Sequence, residues 1–154
     1  MNKLRDIIAH FALRYPDKLE LTNDRMTKMV YLADWLGAVN YGRTFTRVRW
    51  YFDNGPYTKD VVNTASSDHR LTVEKVDGFL NSPRTLIGLT DYDYMPELDD
   101  TCKKVLDYVI STTQSLNWDK FVDLIYSTFP IISSERHTYL ELSKLADEYS
   151  LAVS

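Results

Sequence analysis

A single cysteine, Cys102, stands in 154 residues, so no disulfide can close within the chain and a cross-linked secreted scaffold is excluded. An unpaired thiol suits a reducing compartment, and a cytoplasmic protein is expected on that ground. Long hydrophobic runs are missing as well. None approaches the roughly 20 residues that cross a bilayer, and the opening Met-Asn-Lys-Leu-Arg-Asp leads into an acid-containing segment rather than the apolar core of a signal peptide. Glycine and proline number only five each. With no linker, internal repeat or low-complexity tract, one domain over residues 1–154 is expected. Folding at this length removes about 70% of the unfolded chain's surface, which supplies a core without a metal or disulfide to hold it.

Recognisable chemistry is equally scarce. His10, His69 and His137 lie far apart, and none stands at ligand spacing from another or from Cys102, so neither a metal nor a cofactor is expected. There is no glycine-rich phosphate loop, no nucleophile elbow and no His-Glu-x-x-His. A non-enzyme is therefore expected. The remaining catalytic route is a site gathered from distant residues such as Asp53, His69 and Asp91. Excess positive charge is absent too, the formal net charge being −4, which gives no general attraction to nucleic acid or to anionic lipid. Arg43, Arg47 and Arg49, interleaved with Phe45 and Trp50, are a small basic cluster that also suits a solvated strand face.

What the chain does have is tyrosine, 11 of its 20 aromatic residues. Tyrosine joins large contact area to a polar tip and few torsions, which suits wet recognition surfaces as well as the rim of a core. Charge is unevenly placed, with +4 over residues 1–59 and −8 over residues 60–154, enough to orient an approaching partner.

The periodicities predict a mainly α protein with minor β, a compact helical bundle around a central hydrophobic helix with a small antiparallel sheet or hairpin. Leu4, Ile7, Ile8, Phe11 and Ala12 make the stripe of a first helix over 3–14, stopped by Pro16. Thr22 is a plausible N-cap for a helix over about 23–37 that Gly37 ends, and its apolar residues reach nearly all round, which places it in the middle. Alternation over 46–52, with Val48, Trp50 and Phe52 on one side and Arg47, Arg49 and Tyr51 on the other, predicts a half-buried strand. Asp53-Asn54-Gly55-Pro56 breaks that strand, with Gly55 left-handed and Pro56 suited to the first turn of a short helix over 57–66. Residues 71–76 and 84–90 read as a hairpin around a turn that includes Gly78 and Asn81-Ser82-Pro83. Helices over 98–115 and 118–128, the second capped by Asn117, and a final helix over 138–150 follow.

One combination is more specific than any of its parts: Lys28-Met29-Val30-Tyr31-Leu32-Ala33, then Tyr41-Gly42-Arg43, then Trp50, then Asn54-Gly55-Pro56-Tyr57. In order and spacing over residues 22–62 it resembles the Panacea domain, the SocA-like antitoxin family of bacteria and their phages. That family commonly has valine after Gly-Pro where this chain has Tyr57, and glutamine before the lysine where this chain has Thr27. The resemblance implies an antitoxin that neutralises a cognate protein toxin by direct contact, with toxins varying widely, and a protease or chaperone as a further partner if the chain acts as a proteolytic adaptor. A DNA-binding autoregulator and a hydrolase with a hidden site are the competing readings. Lys28, Tyr31, Tyr41, Gly42, Gly55 and Pro56 are expected to be scaffold, with Lys28 and Tyr31 tying the central helix to the Gly-Pro turn through their polar tips. Arg47, Arg49, Tyr51, Asp53 and Tyr57 are the expected toxin contacts.

Overall fold

The computed structural model describes residues 2–77 and 83–153. Helix α1 (Leu4–Arg14) is followed by a 3-10 turn (Lys18–Glu20) and the long helix α2 (Asn23–Tyr41). Strands β1 (Trp50–Asp53) and β2 (Gly55–Tyr57), helix α3 (Asp60–Ser67) and strands β3 (Leu71–Asp77) and β4 (Pro83–Leu89) come next. The chain then runs through α4 (Asp100–Thr113), α5 (Trp118–Tyr126), α6 (Phe129–Ser133), β5 (Tyr139–Leu140) and α7 (Leu142–Val153). Mainly α with two small antiparallel sheets, it has the expected class.

Helix α2 is the axis. It packs against α1, α3, α4, α7, β2 and β4, and Met26, Met29, Val30, Tyr31, Leu32, Ala33 and Trp35 are all buried. Thr22 caps it as expected, its hydroxyl accepting from the Arg25 amide at 3.1 Å. The far end differs from the sequence reading. Gly37 does not stop the helix; α2 continues to Tyr41 and closes on Gly42, which is left-handed with φ 72°. Gly37 serves packing instead: a Cβ there would lie 2.7 Å from both the Arg43 carbonyl oxygen and the Phe45 ring, so only glycine lets the returning chain cross the helix so closely.

The expected strand over 46–52 is regular only from Trp50. Before it, the chain bends at Phe45 and Thr46 and is held by hydrogen bonds to the Asp34 side chain. Pro56 does not open a helix. Gly55, with φ 80°, turns the chain back so sharply that Gly55–Tyr57 pairs with β1, Tyr51 facing Tyr57 and Phe52 facing Pro56. Because Pro56 lacks an N–H and β2 is a sheet edge, the proline also blunts further pairing there. Helix α3 consequently begins three residues later than expected, with the Thr58 hydroxyl accepting from the Asp60 amide.

The hairpin β3–β4 has the predicted strands, in register from Leu71 opposite Leu89 to Asp77 opposite Pro83; the turn residues Gly78, Asn81 and Ser82 lie outside the described residues. Leu21 and Thr22 cover the outer side of β4, through Ile87 N–H to Leu21 oxygen at 2.9 Å and the Thr22–Leu86 bridge. Asn117 caps α5 as expected, while Pro130 sits in the first turn of the short α6. The final helix is shorter at its start than the sequence suggested. Tyr139 and Leu140 form β5, which completes a three-stranded sheet in the order β2-β1-β5, and α7 starts only at Leu142.

Candidate functional site

Asp34 organises the approach to β1. It is fully buried and accepts four hydrogen bonds, from the Phe45 amide at 2.8 Å, the Thr46 amide at 3.0 Å, the Thr46 hydroxyl, and Trp50 Nε1 at 2.9 Å. Burial raises the Asp34 pKa even though these donors favour its charged form. A carboxylate so surrounded fixes the path of residues 45–50 and thereby the register of β1. The sequence reading did not single it out, because one acid inside an apolar helix looks like an interruption rather than a hub.

Tyr31 and Trp35 continue the same scaffold. The Tyr31 ring meets Trp50 edge-on at 5.7 Å, and its hydroxyl bonds Thr128 Oγ1 at 2.8 Å. Trp35 stacks on Phe129 and meets Tyr149 edge-on. The expected polar ties to the Gly-Pro corner are therefore corrected. Tyr31 reaches the junction of α5 and α6 instead. Lys28 touches the corner with its stem, its Cε 3.5 Å from where a Gly55 Cβ would sit, and its ammonium makes no hydrogen bond among the described residues. Tyr41, half exposed at the end of α2, borders a shallow groove with Leu36, Asn40, Lys104 and Tyr108.

Because Trp50 and Phe52 face the core, Tyr51 faces out, and the pairing register lines it up with Tyr57 on β2 and Tyr139 on β5. The result is a row of three partly exposed tyrosines across the small sheet. Tyr51 and Tyr139 pack edge-on at 5.1 Å, and the Arg49 guanidinium lies 4.2 Å above the Tyr139 ring. Arg49, Tyr51, Tyr57, Thr58, Lys59 and Tyr139 line a groove of 260 Å³. Arg47 lies beyond Arg49, in an adjoining 390 Å³ groove with Glu141 and Ser143. Asp53 stands two residues along β1 from Tyr51, its carboxylate 4.0 Å from His137 Nδ1.

Of the five residues expected to make contacts, Arg49, Tyr51 and Tyr57 thus share one groove, Arg47 occupies the next, and Asp53 lines neither. Tyr139 was missed, because two residues of strand are too few to show alternation. Arg43, the third arginine of the basic cluster, is engaged with Asp99 at 3.5 Å.

The distant residues considered for catalysis do not assemble. His69 and Asp91 border one groove of 300 Å³ and Asp53 is not among its lining residues. His10 is buried and bonded to Asp107 at 2.8 Å, and burial lowers its pKa. Cys102 is buried, with its thiol pushed up to about 12 by burial, so it is not poised as a nucleophile. No three metal-ligating side chains converge among the described residues, and no helix there is long and apolar enough to cross a membrane.

Comparison with known proteins gives one family. The sequence model described as "Antitoxin SocA-like, Panacea domain" matches residues 26–129, an interval that holds α2 from Met26 onward, the Gly55 corner and the β1–β2 hairpin. No curated protein and no solved structure matches the chain.

Proposed function

The chain belongs to the SocA-like antitoxin family with a Panacea domain, and from that membership we propose that it is an antitoxin that neutralises a cognate protein toxin by direct contact, without catalysis, in the cytoplasm. The contact face is the outer side of the β2-β1-β5 sheet. The observation that supports this reading best is the row Tyr57, Tyr51 and Tyr139 with Arg49 stacked at its end. Tyrosine and arginine are the side chains that anchor protein interfaces, because each buries much area while keeping a polar tip to satisfy. The row stands on a sheet fixed from beneath by Asp34, Tyr31 and Trp50, so little ordering cost remains for binding. Neutralisation is by occlusion in this reading, the toxin extending from this groove over the neighbouring Arg47 groove, since a stable interface buries about 1,600 Å² in total.

Co-expression with the product of the adjacent reading frame tests the proposal. The neighbour is expected to be toxic alone, harmless with this chain, and retained by it through purification. A neighbour that is harmless alone and does not co-purify defeats the reading.

A further inference from the structure

Helix α2 carries two buried cations, and they are treated in opposite ways. Arg25 is 2% exposed. Its guanidinium donates to Tyr15 Oη at 3.0 Å, the Thr113 oxygen at 2.8 Å and the Leu116 oxygen at 2.9 Å, and it lies 4.5 Å above the Phe121 ring. Three of its N–H donors are thus bonded within the protein. Lys28, nearly one helical turn on, is 9% exposed and has neither a hydrogen bond nor an ion pair among the described residues. Asp24, one turn back, acts on it through space, yet burial outweighs that attraction and lowers the Lys28 pKa. Among the described residues no side-chain polar atom fully shut off from solvent lacks a hydrogen bond, so the Lys28 ammonium, which has none there, must still open at the surface.

Its stem runs past the Gly55 corner. The space a side chain at position 55 would fill is bordered by Lys28 Cε at 3.5 Å and by Tyr126 Cε2 and Oη at 3.6 and 3.7 Å. Tyr126 is 40% exposed, and its hydroxyl has no hydrogen bond among the described residues. The rim of the same turn is positive as well, since Arg136 donates to the Asp53 carbonyl at 3.2 Å and to Asn54 Oδ1 at 2.9 Å. An ammonium that reaches solvent with no acceptor from the described residues is open to an anion, and a hydroxyl donor and a second cation beside it complete the surroundings of one.

We infer that the notch between Lys28, Gly55 and Tyr126 receives one carboxylate side chain of the protein partner, Lys28 supplying the charge and Tyr126 a hydrogen bond. The occupant is a single protein acid rather than a nucleic-acid backbone, because the chain's net charge of −4 repels a polyanion while leaving a local ion pair intact. This deepens the antitoxin reading and rests on it for the partner's nature.

The full chain, with lysine side chains labelled with ¹³C, allows the Lys28 ε-resonance to be assigned by its loss in Lys28→Arg. Titration with N-acetylglutamate methylamide is expected to shift that resonance saturably in the millimolar range, with the neutral glutamine analogue about tenfold weaker or silent. A Lys28 signal that does not move, or moves alike with both, overturns the notch. Saturation by inorganic phosphate in preference to the glutamate probe overturns the carboxylate assignment in favour of a phosphorylated ligand. Lys28→Met, which keeps the apolar stem, serves as the folded control and is expected to bind the toxin about tenfold more weakly; unchanged affinity contradicts the partner contact. No toxin enters the titration, so its failure leaves the antitoxin reading standing, and a neighbour that fails to bind leaves the notch standing.

Discussion

At the scale of single residues, the fold depends on a few polar groups placed where apolar ones would be expected. Asp34 satisfies two amides, a hydroxyl and an indole at once. Asp34→Ala strands those buried donors, and each costs on the order of 1–3 kcal/mol when left unpaired. Chemical denaturation of the variant should show a loss of about 3 kcal/mol or more, with Asp34→Asn less affected because it keeps an acceptor. Lys28 gives the opposite sign. Its folded pKa is lowered by burial, so between that value and the 10.5 of the unfolded chain the unfolded state binds more protons, and stability rises with pH across the window. Lys28→Met should therefore melt above wild type at pH 7, and the gap should close as the pH approaches 10.5. Melting curves at both ends of that range check it; a gap independent of pH would show that the ammonium carries no desolvation cost.

At the scale of elements, the two glycines that shape the scaffold act by different physics. Gly55 needs its backbone angle: φ is 80° while the nearest atoms to an added Cβ are at ordinary contact distance. Gly55→Val should lose ~1–3 kcal/mol through backbone strain. Gly37 needs space, and Gly37→Ala should destabilise by about 1–3 kcal/mol, the usual range for overpacking, despite the better helix propensity of alanine. A melting midpoint for Gly37→Ala at or above that of wild type would contradict the close crossing by Arg43 and Phe45.

The same two positions show what was legible in the sequence. The stripe of α1, the all-round apolar surface of α2, the Thr22 and Asn117 caps and the β3–β4 strands all follow from local periodicity, which one chain displays unaided. Gly37 misled because a glycine inside a helix and a glycine after one look alike until the crossing chain is seen. Tyr139 and Leu140 were read into a helix because pairing with β1, a partner nearly ninety residues earlier, leaves no trace in two residues. At the site, Arg49, Tyr51 and Tyr57 were visible through alternation and turn chemistry, whereas Tyr139, Asp34 and the unpaired state of Lys28 depend on long-range contacts.

At the scale of the whole molecule, the functional face and the folding core are two sides of the same small sheet. Trp50 ties it to α2 through Tyr31 and Asp34 and Phe52 is buried on the same side, which leaves Tyr51, Tyr57 and Tyr139 on the outer side for a partner. Binding and stability should consequently separate. Tyr57→Ala removes a side chain that is 39% exposed, and its melting midpoint should move by a degree or two, while toxin affinity falls by about 2 kcal/mol if it is an interface anchor. Calorimetric titration beside a melting curve distinguishes the two effects, and equal losses in both would return Tyr57 to the scaffold.

Hydrogen exchange of the chain, free and bound to the product of the adjacent reading frame, tests the contact face most directly. Slowed exchange on binding is predicted over residues 47–59 and 137–140, with the exposed side of α4 around Lys103 and Tyr108 unchanged. Protection confined to α4, or to any surface that leaves the three-tyrosine row exchanging as in the free protein, would contradict the account.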